Sequence, residues 1–160
     1  MFENSIREAL PESVNDVLER MFFVQAVGAS PQQLPQAPDG QIVARVRFEG
    51  EPSGSLTLWL NALDALPIAA DFLGADPEEI TEARSSEVIC ELANMICGSL
   101  LSRIEAGTTF HLATPQILAE WTPADFVSAT FYAVELENGI LAVSVTTGIP
   151  TCLESTLSAY

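Results

Sequence analysis

Glu91 and Asn94 stand three residues apart in the run Ser85-Ser86-Glu87-Val88-Ile89-Cys90-Glu91-Leu92-Ala93-Asn94-Met95-Ile96-Cys97-Gly98-Ser99-Leu100-Leu101-Ser102. On a helix that spacing makes the two side chains neighbours on one face. A carboxylate can pair with a cation, whereas a carboxamide can both accept and donate a hydrogen bond. Around the helix axis Ile89, Leu92, Ala93, Ile96, Leu100 and Ile104 fall on one side, the predicted core face. Glu87, Glu91, Asn94, Gly98, Ser102 and Glu105 fall on the other. Two members of this second set are odd for a merely solvated face. Asn is a weak helix former because its amide competes for backbone groups. A mid-helix Gly costs on the order of 1 kcal/mol relative to Ala. Close approach by another chain is one reason to keep a glycine there.

A second E-x-x-N pair, Glu12 and Asn15, lies near the start of the chain, with Glu8 four residues before it. The position corresponding to Gly98 is there Glu19, and Pro11 disturbs the local pattern, so a solvated helix face is the plainer expectation. His111 is the single histidine and reads as a packed or edge residue of a strand. No Ser-His-Asp set, phosphate-binding loop or dinucleotide glycine motif is present. Cys90, Cys97 and Cys152 make no zinc pattern. Cys90 and Cys97, seven residues apart on one predicted helix, are separated by about 10 Å of rise, too far for a disulfide. They are expected to be small, buried, reduced thiols in a cytoplasmic chain.

The elements that must position these residues follow from periodicity. Roughly Asn4 to Val24 is predicted helical, with Ile6, Leu10, Val14, Val17, Leu18 and Met21 on one side and a start or kink at Pro11. A Pro-, Gln- and Gly-rich loop runs from Gly28 to Gly40. Ile42–Phe48 and Ser55–Leu60 alternate as strands, with Arg45 and Arg47 on one face of the first and three leucines on one face of the second. The turn chemistry from Gly50 to Gly54 makes them a hairpin. A short helix from about Leu63 to Phe72 ends at Gly74. Asp76, Pro77 and Glu79 signal the start of a helix running to about Glu105, with a break expected near Ser85-Ser86 and closure at Gly107. Three strands finish the order, Thr109–Leu118, Phe126–Glu135 and Ile140–Thr147, the last two joined through Glu137-Asn138-Gly139. Phe22, Phe23 and Trp59 are expected in the core. Helices and strands in this order predict one domain over residues 1–160. Its class is α+β, a largely antiparallel sheet covered by helices.

With six Lys plus Arg against twenty-two Asp plus Glu, the chain carries −16. Such a surface repels phosphate backbones, which argues against nucleic acid and anionic membrane as partners. A basic patch or a metal-loaded partner suits it better. The N-terminus has no secretory character, and no window approaches the roughly 20 apolar residues of a membrane span.

Glu91-x-x-Asn94 followed by Gly98, with Pro115 a couple of dozen residues later, resembles the signature helix of the CheC/CheX/FliY chemotaxis phosphatases. The element order fits the CheX-like branch over nearly the whole chain. One departure is Glu87, where the family usually has Asp or Ser. The resemblance implies hydrolysis of the aspartyl phosphate of a CheY-like response regulator. Asn94 would then orient the attacking water and Glu91 would dock to the regulator's active-site lysine. Glu87, Gly98 and Ser102 would contact the partner, and Glu12 with Asn15 would be a second candidate site. No cofactor of its own is expected, Mg²⁺ being held by the regulator. A homodimer with sheet pairing between subunits is a further implication. Two other readings use the same helix: a module that binds a receiver domain or flagellar-switch component without hydrolysis, and a scaffold whose E-x-x-N is accidental.

Overall fold

A computed structural model describes residues 2–26, 28–29, 40–104, 109–120, 130–137 and 139–148. Helix α1 spans Phe2–Met21 and buries Ile6, Leu10, Val14, Val17 and Leu18, the predicted stripe. Pro11 lies inside it and does not start it. The helix ends earlier than periodicity suggested because Phe23 enters the left-handed region (φ 57). The chain there turns so that the Val24 N–H reaches the Leu18 carbonyl, 2.9 Å away. Phe22 is buried and stacks on Phe72 at 4.4 Å. Phe23, expected in the core beside it, is instead 72% exposed, since the reversed backbone aims successive side chains apart.

Strands β1 (Gly28–Ala29), β2 (Gln41–Glu49), β3 (Gly54–Asn61), β4 (His111–Leu112), β5 (Gln116–Ile117), β6 (Thr130–Leu136) and β7 (Gly139–Thr147) form one sheet. Its order is β1-β6-β7-β3-β2-β4, with β5 also on β2, and every described pairing is antiparallel. The β2–β3 hairpin has Ile42 opposite Leu60 and Phe48 opposite Gly54. The predicted strand from Thr109 to Leu118 is two short pieces. Between their pairings with β2, Ala113, Thr114 and Pro115 oppose only Val46 and Arg47, a bulge at the residue that lacks an N–H. Gly28 and Ala29, expected in a loop, pair with Glu135 and Val134. The Leu136–Gly139 pairing closes the last hairpin with a two-residue connection. Asn138 within that connection, Gly107, Cys152, residues 30–39 and the start of the predicted 126–135 strand lie outside the described residues.

Helix α2 covers Ala62–Leu73, capped by the Asn61 side chain on the Leu63 N–H (2.9 Å) and closed by Gly74 at φ 65. The following helix divides upstream of the expected Ser85-Ser86 break. Pro77–Glu79 makes a short 3₁₀ turn, Ile80 and Thr81 are extended, and α3 runs Glu82–Arg103. Thr81 is the true cap, its hydroxyl accepting from the Arg84 N–H at 3.1 Å. Asp76 makes no side-chain cap bond.

All three helices pack on one face of the sheet. Leu56, Leu58 and Leu60 meet Ile89, Leu92, Ile96 and Leu100 of α3 and the buried stripe of α1 there. The other face carries a smaller cluster of Val43, Trp59, Ala133 and Ala142. On that face Arg45 donates from Nε to Thr57 Oγ1 (3.2 Å). Strand β3 is therefore buried on both sides, which its alternation alone would not give.

Candidate functional site

The site is built on α3. Val88, Ile89, Leu92, Ala93, Ile96, Cys97, Leu100 and Leu101 are buried and anchor its inner side against the sheet, α1 and α2. The predicted core face is thus the observed one. Because that side is fixed, the opposite side has no freedom to rotate away from the surface. Glu87, Glu91 and Ser102 are exposed there, and Asn94 and Gly98 are half-buried.

Among the described residues neither the Glu91 carboxylate nor the Asn94 amide is engaged by a hydrogen bond or ion pair. Glu87 accepts from Arg84 Nη1 at 2.8 Å, and Ser102 donates to the Ser99 carbonyl at 2.8 Å. A Cβ added at Gly98 would meet no atom within 4 Å. Among the described residues nothing requires glycine here or covers the patch beside Asn94. Of the six residues predicted for the outer face, Glu91, Asn94, Gly98 and Ser102 lie along one stripe with Glu87, which is tied to its own helix neighbour, and Glu105 lies outside the described residues.

The electrostatics are one-sided. Burial pushes the Cys90 thiol up, and the negative charges of Glu87 and Glu91 push it further. Burial alone raises Cys97 to about 12. Both thiols stay protonated near neutral pH, so neither offers a nucleophile beside the Glu91–Asn94 pair.

The second candidate pair is arranged differently. Glu12 forms an ion pair with Arg103 Nη1 at 3.3 Å, and Asp16 pairs with Arg103 Nη2. The Asn15 amide donates to the Tyr132 hydroxyl at 3.4 Å, and its Oδ1 is buried with no partner among the described residues. Glu12 and Asn15 hold α1 against α3 and β6. His111 is exposed on β4 opposite Glu49. Sequence reasoning missed Arg84 and Arg103. Arg84 was findable, lying three residues before Glu87 on the same helix. Arg103 was not, because its partners are on another helix far away in the chain.

A family profile described as "Chemotaxis phosphatase CheX" matches residues 42–123, just over half of the chain, and so includes β2, β3, α2 and all of α3. Three solved structures share the fold. The CheX of Borrelia burgdorferi in a complex with CheY, BeF₃ and Mg²⁺ aligns with TM-score 0.71 and 19% identity, over 89% of this chain and 97% of that one. The CheX of Vibrio vulnificus gives 0.68 and 18%, over 89% and 96%. A CheC-like protein of a Shewanella species gives 0.64 and 21%, over 91% and 98%. No curated protein is similar in sequence. The profile match over the signature helix and the shared fold together place this chain in the CheC/CheX/FliY chemotaxis phosphatase family, in its CheX-like branch.

Proposed function

We propose that the chain hydrolyses the aspartyl phosphate of a CheY-like response regulator, with Asn94 orienting the attacking water and Glu91 docking to the regulator's active-site lysine. The observation that carries this is the stripe on α3, where an unengaged carboxylate and amide precede a glycine that no described residue requires. An acyl phosphate is already activated. The water oxygen bonds to phosphorus, the bond from phosphorus to the aspartyl oxygen breaks, and the proton passes to the departing phosphate. Such a reaction needs positioning and charge stabilisation more than a covalent catalyst. The Asn94 carboxamide accepts from the water through its oxygen and donates to a phosphoryl oxygen through its nitrogen. Glu91 cannot face the phosphate, since like charges repel, but a lysine on the partner fixes its register. Glu87, Ser102 and the space at Gly98 complete the docking surface. Mg²⁺ belongs to the regulator in this scheme, in keeping with the CheY complex formed by the Borrelia relative.

The decisive experiment follows phosphate release from a panel of phosphorylated receiver domains of the same genome. Wild-type protein is expected to shorten the lifetime of at least one regulator. Asn94→Ala is expected to lower turnover by about 10²-fold or more while binding changes little. Glu91→Ala is expected to act chiefly on KM. A wild-type protein that binds a receiver yet leaves every phosphoryl lifetime unchanged would make the helix a docking module only.

A further inference from the structure

At the end of the sheet where β3 runs into α2, a cavity of about 330 Å³ opens between α2, the tail of α1 and the β6–β7 hairpin. Its lining includes Pro67, Ile68 and Leu136, and three carboxylates join them, Asp64 and Asp71 from α2 and Glu137 from the hairpin. Phe23 also lines it and is 72% exposed, while Leu63, next to Asp64, is 75% exposed. Large apolar side chains left in water beside a cavity of mixed polar and apolar lining mark a surface that something covers.

We infer that this cavity binds a basic peptide segment of another protein, with one bulky apolar side chain inserted and flanking Arg or Lys residues on Asp64, Asp71 and Glu137. Charge decides the occupant. Among the described residues no cation lines the cavity, and neither Asp64 nor Asp71 has a hydrogen-bond or ion-pair partner. A second copy of this chain would bring −16 against the same carboxylates. The Asp64 carboxylate also lies close against the β6–β7 hairpin, where a Cβ added at Gly139 would meet it. Asp64 and Asp71 lie about 10 Å apart along α2, two turns on the same stripe as Pro67 and Ile68. That separation lets two cations straddle one inserted apolar group.

The test is fluorescence anisotropy with labelled hexapeptides carrying a central Leu, Phe or Trp between Arg residues, against the same set flanked by Glu. The arginine-flanked peptides are expected to bind at least about tenfold tighter. The triple variant Asp64→Asn, Asp71→Asn, Glu137→Gln is expected to weaken them by about fivefold or more, and Phe23→Ser to do likewise. A control triple at the opposite end of the molecule, Glu3→Gln, Glu8→Gln, Glu49→Gln, removes the same charge and is expected to stay within about twofold. Equal losses in both triples would reduce the effect to net charge and overturn the site. So would unchanged binding in Phe23→Ser, a loss of binding in Glu91→Ala, or no binding by any arginine-flanked peptide at about 0.5 mM.

Discussion

Gly98 carries a cost without an internal reason. Glycine in mid-helix is worse than alanine by about 0.5–1 kcal/mol, and no atom of the described residues lies within 4 Å of where a Cβ would go. Gly98→Ala should therefore stabilise the fold, raising Tm by about 1–4 °C for a chain of this size. If the space serves a partner, the same methyl, and more so Gly98→Leu, should weaken docking of the phosphorylated regulator. A variant that gains stability and keeps full affinity would remove the glycine from the docking surface. Cys97 gives a prediction of a different sign. Its thiol has an ordinary value near 9.0, raised by burial to about 12. The folded state keeps the proton longer than the unfolded one, so the contribution is complete below about pH 9 and is lost as pH rises toward 12. Urea midpoints measured at pH 8 and pH 10.5 should fall more for wild type than for Cys97→Ala, with a slope difference approaching about 1.4 kcal/mol per pH unit. Parallel slopes would show that this thiol does not govern the alkaline loss. At this scale Glu91, Asn94 and Gly98 were legible because type and spacing alone placed them on one face. The roles of Asn15 and Arg103 were not, because Tyr132, Glu12 and Asp16 come near only through packing.

Elements show the same division. The α1 stripe, the β2–β3 hairpin and the Gly74 end of α2 were visible as patterns of neighbours along the chain, whereas the Asn61 cap emerged only in the structure. The start of α3 was misplaced because Asp76-Pro77 has the composition of a cap. The extended Ile80-Thr81 step that follows hands capping to Thr81. The bulge at Pro115 and the strand at Gly28–Ala29 depend on registers set by β2 and β6, which no local pattern reports. Thr81→Ala tests the assignment. Loss of the hydroxyl acceptor should cost about 1 kcal/mol, while Asp76→Ala should cost well under half of that. Glu91 lies about three turns further in, held by the buried side of α3, so phosphate release per folded molecule should change by less than about twofold. A fall in turnover matching the fall in stability would mean that the frayed end reaches the docking surface.

For the whole molecule the governing quantity is −16, carried with six cationic residues that are all arginine. Among these, Arg84 and Arg103 are already committed to Glu87, Glu12 and Asp16. Surplus negative charge makes the sign of a salt dependence diagnostic. Docking of Glu91 onto a lysine, and of a basic peptide into the Asp64 cavity, gains from opposite charges and should weaken as salt screens them. Association of two copies works against repulsion and should strengthen with salt. We infer such a homodimer from the family, and from a sheet whose two terminal strands, β1 and β4, are each two residues long. Among the described residues β1 pairs with Glu135 and Val134 of the longer β6, and sheet pairing across subunits is the interface tested. Sedimentation velocity at tens of micromolar protein should give twice the 17.2 kDa chain mass at about 0.3 M salt, where the screening length is near 6 Å. The monomer fraction should grow toward about 0.01 M, where that length is near 30 Å and each subunit feels the other's full charge. A single 17.2 kDa species at every ionic strength would exclude the dimer. A dimer that tightens as salt is removed would mean that its interface is built on arginine–carboxylate pairs and not on sheet pairing.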